Sequence, residues 1–183
     1  MAMQDDLTTA PPPAARPAWW VRMLIGRSPR RTLLRLCVWV GLTLVLFRVI
    51  FVPVRVEGIS MLPTYRDGSI NLVYRWAYKW SPPKRGDVVA VKLAGAETAN
   101  VMFLKRIIGL PGERIAIKSG VVFINGKPLA EPYLRFPRAP WNVPEKRIKP
   151  RHYYVIGDNR QMPSGLHIFG ETKDFKIVGK VLF

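Results

Sequence analysis

The chain has 183 residues, with 29 Lys and Arg against 12 Asp and Glu, which gives a net charge of +17. This length fits one domain with an appendage and not two full domains. The single cysteine, Cys37, excludes an intrachain disulfide, and with only two histidines the sequence argues against a zinc site, so no metal or cofactor is expected. The positive charge suits nucleic-acid phosphates and anionic lipid headgroups equally, and composition alone does not choose between them.

Residues 1–35 predict a flexible, basic leader. A stretch with three consecutive prolines and few large apolar residues fills positions 1–18. Positions 19–34 mix arginine with tryptophan, methionine and leucine, a composition typical of a segment that lies at a membrane surface. The first 48 residues hold seven basic and two acidic residues, and the rest of the chain holds 22 and 10, so the positive charge is not confined to one arm.

Residues 36–53 predict a membrane anchor. No charge occurs between Leu36 and Phe47, and the apolar run resumes after Arg48 until Pro53. Since roughly 20 apolar residues span a bilayer core, this favours a single transmembrane helix over a buried core helix. A cleavable signal peptide is disfavoured because the basic flank is long and no small-x-small site follows. The preceding arginines place the N-terminus in the cytoplasm and residues 54–183 on the outer side of the inner (plasma) membrane.

Beyond Pro53 the sequence predicts a mainly β fold, a compact antiparallel β-sheet domain that spans residues 54–183. Short runs of β-branched residues alternate with turns, and no segment shows a sustained helical period. Asn125-Gly126, between Val-Val-Phe-Ile and Lys-Pro-Leu, is the strongest hairpin signal. The expected strands cover residues 54–57, 69–73, 87–93, 101–108, 114–118, 121–124, 153–156 and 176–183.

Three short clusters could carry chemistry, and each also has an ordinary structural explanation. Ser60 stands between Gly58 and Pro63 just after an extended segment, but most loop serines are simply solvated. Lys105 follows an apolar run, as a strand-end lysine in water would. Positions 157–160, Gly-Asp-Asn-Arg, follow another run and suit a polar turn that satisfies its own backbone.

Together and in this order, the three clusters resemble the type I signal peptidase family. The matching motifs are Ser-Met-x-Pro-Thr from Ser60, Lys-Arg-x-x-Gly-x-Pro-Gly-Glu from Lys105, and Gly-Asp-Asn-Arg from Gly157, all after a membrane anchor. The resemblance covers about residues 36–170, and the short spacers are similar to those of compact, single-anchor members. It implies a membrane-bound serine endopeptidase that cleaves N-terminal signal peptides from exported pre-proteins after small residues.

The resemblance implies a Ser/Lys dyad that works through an acyl-enzyme. Ser60 would be the nucleophile and Lys105 the general base, because burial beside Phe103 and Leu104 would lower the pKa of the lysine and let it accept a proton. The backbone N–H of Ser60 would contribute to the oxyanion hole. Gly58 stands where many family members carry a hydroxyl, so that second donor is absent or comes from the backbone.

Two further expectations concern the support of the dyad and the substrate. The resemblance suggests an ion pair between Arg106 and Asp158 behind the dyad, although two exposed charges would contribute little. The substrate is expected to add as an extended strand between positions 54–59 and 101–104, with shallow pockets for alanine-sized side chains. The candidate substrate-binding residues belong to these segments or follow them: Val56, Ile59, Met61, Pro63, Met102, Phe103 and Leu104.

One segment departs from the family pattern. After Gly-Asp-Asn-Arg the family continues with a serine, then Asp-Ser-Arg and a glycine, but here Pro163, Gly165, Leu166 and His167 stand at those positions. Ser164 lies one place late and is expected to reach Lys105 and orient its amine. Since the supporting ion pair of this segment is lost, the sequence predicts a divergent subtype or a looser active site.

The sequence leaves several alternatives open. A conjugation-type peptidase that processes pilin would share the dyad, and a catalytically weakened relative would only hold precursors. Aromatic residues mixed with Lys and Arg at positions 74–85 suit a membrane–water interface, stacking on bases or plain core packing. A soluble nucleic-acid-binding protein would bind DNA with a steep salt dependence. With the predicted anchor, the favoured partners are pre-proteins and the lipid bilayer, without nucleic acid, and the chain is expected to be monomeric.

Overall fold

A computed structural model describes residues 29–92 and 102–182. Helix α1 spans Pro29–Ile50, and its proline occupies the first turn, where a missing N–H does no harm. By length and composition α1 can cross a membrane, because about 20 helical residues extend about 30 Å, the thickness of the hydrocarbon core. Cys37 and the large apolar side chains of α1 are exposed. Among the described residues, the part of α1 up to Val45 and the chain from Leu46 to residue 182 belong to two separate units.

The bounds of the predicted anchor, residues 36–53, differ from those of the helix, which begins before Leu36 and ends at Ile50. Strand β1, Phe51–Arg55, begins directly after it. Aromatic and β-branched residues favour extended backbone, and Pro53 has no N–H to donate within a helix. β1 is an edge strand, where proline is tolerated. Residues 1–28 of the predicted leader lie outside the described residues, and the last part of the leader, including the end of the segment expected at a membrane surface, belongs to α1.

The larger sheet contains β1 and six further strands. These are β2 Ile70–Tyr74, β3 Val88–Lys92, β4 Met102–Gly109, β9 His152–Ile156, β10 Gly170–Lys173 and β11 Ile177–Val181. Their order is β1-β2-β11-β3-β4-β9-β10, and every neighbouring pair is antiparallel. β4 therefore lies between β3 and β9, well inside the sheet.

The smaller sheet has four strands, in the order β7-β6-β5-β8. They are β5 Arg114–Lys118, β6 Val121–Ile124, β7 Lys127–Pro128 and β8 Val143–Arg147. Asn125 and Gly126 join β6 to β7 with φ angles of +51° and +80°, the left-handed conformation that a two-residue hairpin requires. Ile124 pairs with Lys127 across this turn, so the predicted hairpin is confirmed.

Three apolar clusters hold the sheets together. One contains Ala90 and Leu104 on one face of the larger sheet, and a second contains Val89 and Ile107 on the opposite face. The third packs the smaller sheet against β4 and β9, with Tyr154 and several buried isoleucines at its centre. The middle of β4 thus has packed side chains on both faces.

The predicted mainly β, antiparallel fold is confirmed. The strands expected at 114–118 and 121–124 agree residue for residue, and the other expected strands are shifted by a few residues. β7 is the second arm of the predicted hairpin, whereas strands β8 and β10 were not predicted. β8 contains Pro144 and four exposed residues, and the sequence of β10 is largely polar, so neither shows the alternation that marks a strand.

Candidate active site

Ser60 lies in the turn that follows β1. Gly58 N–H donates to the Asp67 carboxylate at 2.8 Å, and Tyr65 N–H donates to the Met61 carbonyl at 3.0 Å. Gly58 has a φ of +90°, a conformation that glycine adopts without strain. The Met61 side chain, 1% exposed, packs into the core. The half-buried Ser60 is therefore held by a turn that is fixed on both sides of it.

Lys105 occupies the middle of β4. Its side chain shares a sheet face with Ile107 and with Val89, its partner on β3. The residue is only 3% exposed. This burial lowers the pKa of Lys105 to about 8, although the charge of the Asp158 carboxylate acts in the opposite direction. Hence about one molecule in ten carries an uncharged amine at pH 7.

The side chains of Ser60 and Lys105 are in contact, although the two residues are 45 positions apart in the sequence. Lys105 Nζ and Ser60 Oγ are hydrogen-bonded at 2.5 Å. An uncharged amine at this distance can take the hydroxyl proton, and a serine becomes a good nucleophile when a base does so. Among the described residues, no cluster of His, Cys, Asp and Glu side chains is placed to hold a metal ion.

Arg106 and Asp158 lie together behind the dyad. Arg106 Nε and Nη2 donate to the two carboxylate oxygens at 2.8 and 2.5 Å, and Thr64 Oγ1 donates to the same carboxylate at 2.6 Å. The guanidinium carbon lies 4.1 Å from the centre of the Tyr133 ring. Asp158 is 1% exposed, so this is a buried pair and not two solvated charges. It joins residues from all three motifs of the sequence.

Gly157 and Asn159 hold the backbone at Ser60. Asn159 N–H donates to the Ser60 carbonyl at 3.0 Å, and Asn159 Nδ2 donates to the Ile59 carbonyl at 3.0 Å. A Cβ on Gly157 would overlap the same Ser60 carbonyl, so the close approach of the two backbones requires glycine. Positions 157–160 are therefore more than a polar turn that satisfies itself.

A buried ion pair that the sequence analysis missed supports this segment. Arg160 donates through Nη1 and Nη2 to the Glu131 carboxylate, and through Nε to the Gly157 carbonyl at 3.0 Å. The Tyr133 hydroxyl donates to Glu131 at 2.6 Å, and burial raises the pKa of that hydroxyl. Glu131 lies in the connection between β7 and β8, where no motif or periodicity marks it. Only the fold reveals its partner.

The structure does not bring Ser164 to Lys105. Ser164 is exposed in the short 3₁₀ turn Ser164–Leu166, and within the described residues the hydrogen bond of the Lys105 side chain goes to Ser60. His167, three residues on, is buried instead, at 4% exposed. The sequence marked His167 only as a departure from the family pattern, and it carried no signal that this side chain is buried near the dyad.

A groove opens beside the dyad, and we call it the dyad groove. One part is a cavity of about 120 Å³ lined by Ile59, Ser60, Phe103, Lys105 and Ile168, among others. A second cavity of about 140 Å³ shares Phe103, Lys105 and Ile168 with the first. The side chains of Phe103 and Ile168 therefore separate two small pockets that both reach Lys105.

The structure brings only some of the seven predicted substrate-binding residues to the dyad groove. Ile59 and Phe103 line the dyad groove, and Pro63 lines a separate cavity near Arg106. Met102 is half-buried against the core. The side chains of the other three lie inside the core: Val56, Met61 and Leu104. Alternation along β4 explains the difference, because the side chains of neighbouring residues point to opposite faces of the sheet.

Comparison with known proteins identifies a family whose members resemble this chain. The family model described as "Signal peptidase, peptidase S26" matches residues 30–183. The chain is 32% identical over 152 residues to "Probable signal peptidase I-1" of Synechocystis sp., covering 79% of this chain and 76% of that one. It is 38% identical over 136 residues to "Signal peptidase I" of Bacillus licheniformis, covering 67% and 69%. It is 35% identical over 145 residues to "Signal peptidase I" of Bacillus caldolyticus, covering 70% and 75%.

Proposed function

Because the chain belongs to the signal peptidase family, peptidase S26, we propose that Ser60 and Lys105 are the residues with which it cleaves signal peptides. The protein is a serine endopeptidase that removes signal peptides from exported pre-proteins. The observation that carries the residue assignment is the 2.5 Å hydrogen bond between the Ser60 hydroxyl and the amine of a buried lysine. The names of the relatives favour this activity over pilin processing or precursor binding alone.

The acylation step uses the uncharged form of Lys105. Its Nζ takes the proton of the Ser60 hydroxyl while Oγ attacks the carbonyl carbon of the scissile bond. The tetrahedral intermediate then collapses, the C–N bond breaks, and the protonated amine of Lys105 gives its proton to the leaving nitrogen. Ser60 is left as an ester with the signal peptide. Lys105 next deprotonates a water, which attacks the ester carbon. The bond from this carbon to Oγ then breaks, the signal peptide leaves with a new carboxylate, and the protonated amine returns its proton to Ser60.

The negative charge on the substrate oxygen requires N–H donors. No group among the described residues accepts a hydrogen bond from the Ser60 N–H, so this donor is available for the oxyanion. The Gly58 N–H is committed to Asp67 at 2.8 Å and does not supply the second donor in this arrangement. The proposed oxyanion hole is therefore built on Ser60.

The substrate lies in the dyad groove as an added strand, with its backbone between the Ile59 and Phe103 segments. The cavity at Ser60, about 120 Å³ in volume and walled by Phe103 and Ile168, favours a small residue before the scissile bond. Since Ser60 and Lys105 come from one chain, the proposed active unit is a monomer.

Substitution of each dyad residue tests this proposal. We expect Ser60→Ala and Lys105→Ala each to lower kcat for a pre-protein in detergent by about 10³-fold or more, because the two residues act as a unit. Ser81→Ala and Lys118→Ala change the same residue types at exposed sites and should leave kcat within about twofold. Mass spectrometry of the products should locate the cut after a small residue. Undiminished cleavage by either dyad variant refutes the assignment.

The apolar helix α1 and the family indicate membrane anchoring. We propose that α1 crosses the inner (plasma) membrane once, with the N-terminus in the cytoplasm, because Arg30, Arg31 and Arg35 lie in its first half. Protease added outside spheroplasts should digest a C-terminal tag and spare an N-terminal one. The opposite pattern refutes this orientation.

A further inference from the structure

His167 is a buried side chain near the dyad that the proposed mechanism does not use. The Trp141 ring packs edge-on against it, with ring centroids 4.9 Å apart. His167 Nε2 accepts a hydrogen bond from the Gly157 N–H at 3.0 Å. Because a backbone N–H can only donate, Nε2 carries no proton, and the ring is neutral with its hydrogen on Nδ1.

The surroundings of His167 keep it in this neutral form. Burial, together with the positive charges of Lys105 and Arg160, lowers the pKa of His167 to about 3. Among the described residues no group lies at full hydrogen-bond geometry to Nδ1, although the Asn159 backbone acts in the opposite direction on the pKa, so the bond to Gly157 orients the ring. A cationic side chain at this position would be repelled by the charges of Lys105 and Arg160, whereas a neutral hydrogen-bond acceptor is not repelled. His167 therefore remains an acceptor at every pH at which Lys105 can act as a base.

Gly157 connects His167 to the nucleophile. Its N–H is bound by His167 and its carbonyl by Arg160, so side chains fix both polar groups of this glycine. Asn159, two residues on, donates to the carbonyls of Ile59 and Ser60. A shift of Gly157 would therefore move Ser60, whose Oγ must stay in contact with Lys105.

We propose that His167 is a positioning residue for the cleavage reaction, acting through Gly157 and Asn159 to set Ser60 against Lys105. The inference rests on the roles proposed for Ser60 and Lys105. His167 touches neither substrate nor transferred proton in this scheme. Its effect is geometric, and a displacement of about 1 Å at a reacting group can lower a rate by about 100-fold.

Three substitutions separate the hydrogen bond from packing. The amide oxygen of glutamine in His167→Gln reaches about as far as Nε2, but the shorter asparagine in His167→Asn does not reach the Gly157 N–H, and His167→Leu has no acceptor. We expect kcat within about threefold of wild type for His167→Gln and about 10- to 100-fold lower for the other two, with KM changed less than about threefold.

The second histidine of the chain provides a matched control. His152 is half-buried at the start of β9, with Nδ1 2.9 Å from the Pro150 carbonyl. His152→Gln and His152→Asn should each leave kcat within about twofold. Active-site titration gives kcat per folded site, which a merely structural role of His167 would not change.

Two results overturn the proposal: equal kcat for His167→Gln and His167→Asn, or a change confined to KM. The Gln and Asn pair decides the question even when His167→Leu fails to fold. Ser60→Ala, assayed in parallel, separates the two proposals. An active Ser60→Ala refutes the dyad itself, while an inactive Ser60→Ala with a wild-type kcat for His167→Asn refutes only the role of His167.

Discussion

At the scale of single residues, the proposed chemistry depends on two adjacent basic side chains with opposite surroundings. Alternation along β4 sends Lys105 to the dyad groove and Arg106 to the opposite face. Arg106 neutralises the Asp158 carboxylate there through two hydrogen bonds. Because Asp158 is already paired, its attraction for Lys105 does not outweigh the burial that lowers the pKa of the lysine to about 8.

The pKa of Lys105 predicts the pH dependence of cleavage. In the proposed mechanism the free enzyme is active when this amine is uncharged, so kcat/KM should rise with pH, with a midpoint near 8. Well below that midpoint, each pH unit should change kcat/KM by about tenfold. Initial rates at low substrate concentration, from pH 6 to 10, provide the measurement. A midpoint above pH 10, as for a solvated lysine, contradicts the burial argument.

Burial of Lys105 is also expected to lower the free energy of unfolding at neutral pH. Its folded pKa lies below its unfolded pKa, so the unfolded chain binds more protons between about pH 8 and 10.5, and stability rises with pH across that window. Lys105→Met removes the buried charge and should raise the free energy of unfolding at pH 7 by up to about 3 kcal/mol. Thermal unfolding in detergent should show Lys105→Met to be more stable than wild type at pH 7, and this difference in stability should be smaller above pH 10.5. Lys118→Met, at an exposed site, should show no such pH dependence.

At the scale of elements, an ion pair binds the long connection between β7 and β8 to the segment that supports Ser60. Its Glu131 pairs with Arg160, which in turn holds the Gly157 carbonyl. The two side chains of this pair are 0% and 2% exposed. The connection is therefore part of the support of Ser60, although it supplies no residue to the dyad.

Breaking this pair should destabilise the protein strongly. Glu131→Gln leaves the Arg160 charge buried and unpaired, which costs about 3–5 kcal/mol for pairs of this kind. Glu145→Gln makes the same chemical change in an exposed pair with Arg114, with the charges 3.6 Å apart, and should cost less than about 1 kcal/mol. Unfolding in denaturant compares the two variants. Equal losses of stability would show that burial is not the deciding factor.

Local patterns predicted the elements and motifs, but not the contacts between distant segments. Asn125-Gly126 predicted its hairpin because the turn needs left-handed backbone at both positions. Hydropathy could not separate α1 from β1, because Phe51 and Val52 are as apolar as the helix before them. Glu131 and His167 were not predicted because each acts through a contact with another segment, and no local sequence pattern indicates such a contact.

At the scale of the whole molecule, β1 is the edge strand with which the larger sheet begins. Five residues of β1 pair with β2, and Val54 is 7% exposed. A protein that starts at Phe51 should fold, whereas one that starts at Val56 loses the edge strand that anchors the entry to the Ser60 turn. We expect a lower melting temperature and lower kcat for the shorter protein. Equal melting temperatures would show that β1 is dispensable.

The position of Cys37 has a practical consequence. It is the only cysteine of the chain and it lies in α1, so the domain from Leu46 onward contains no thiol. Exchanging Cys37 for serine and Ser60 for cysteine would leave a single sulfhydryl in the entire protein, next to the amine of Lys105. The rate at which a small thiol reagent modifies this sulfhydryl would report directly on the arrival of a signal peptide in the groove, because a bound peptide covers it.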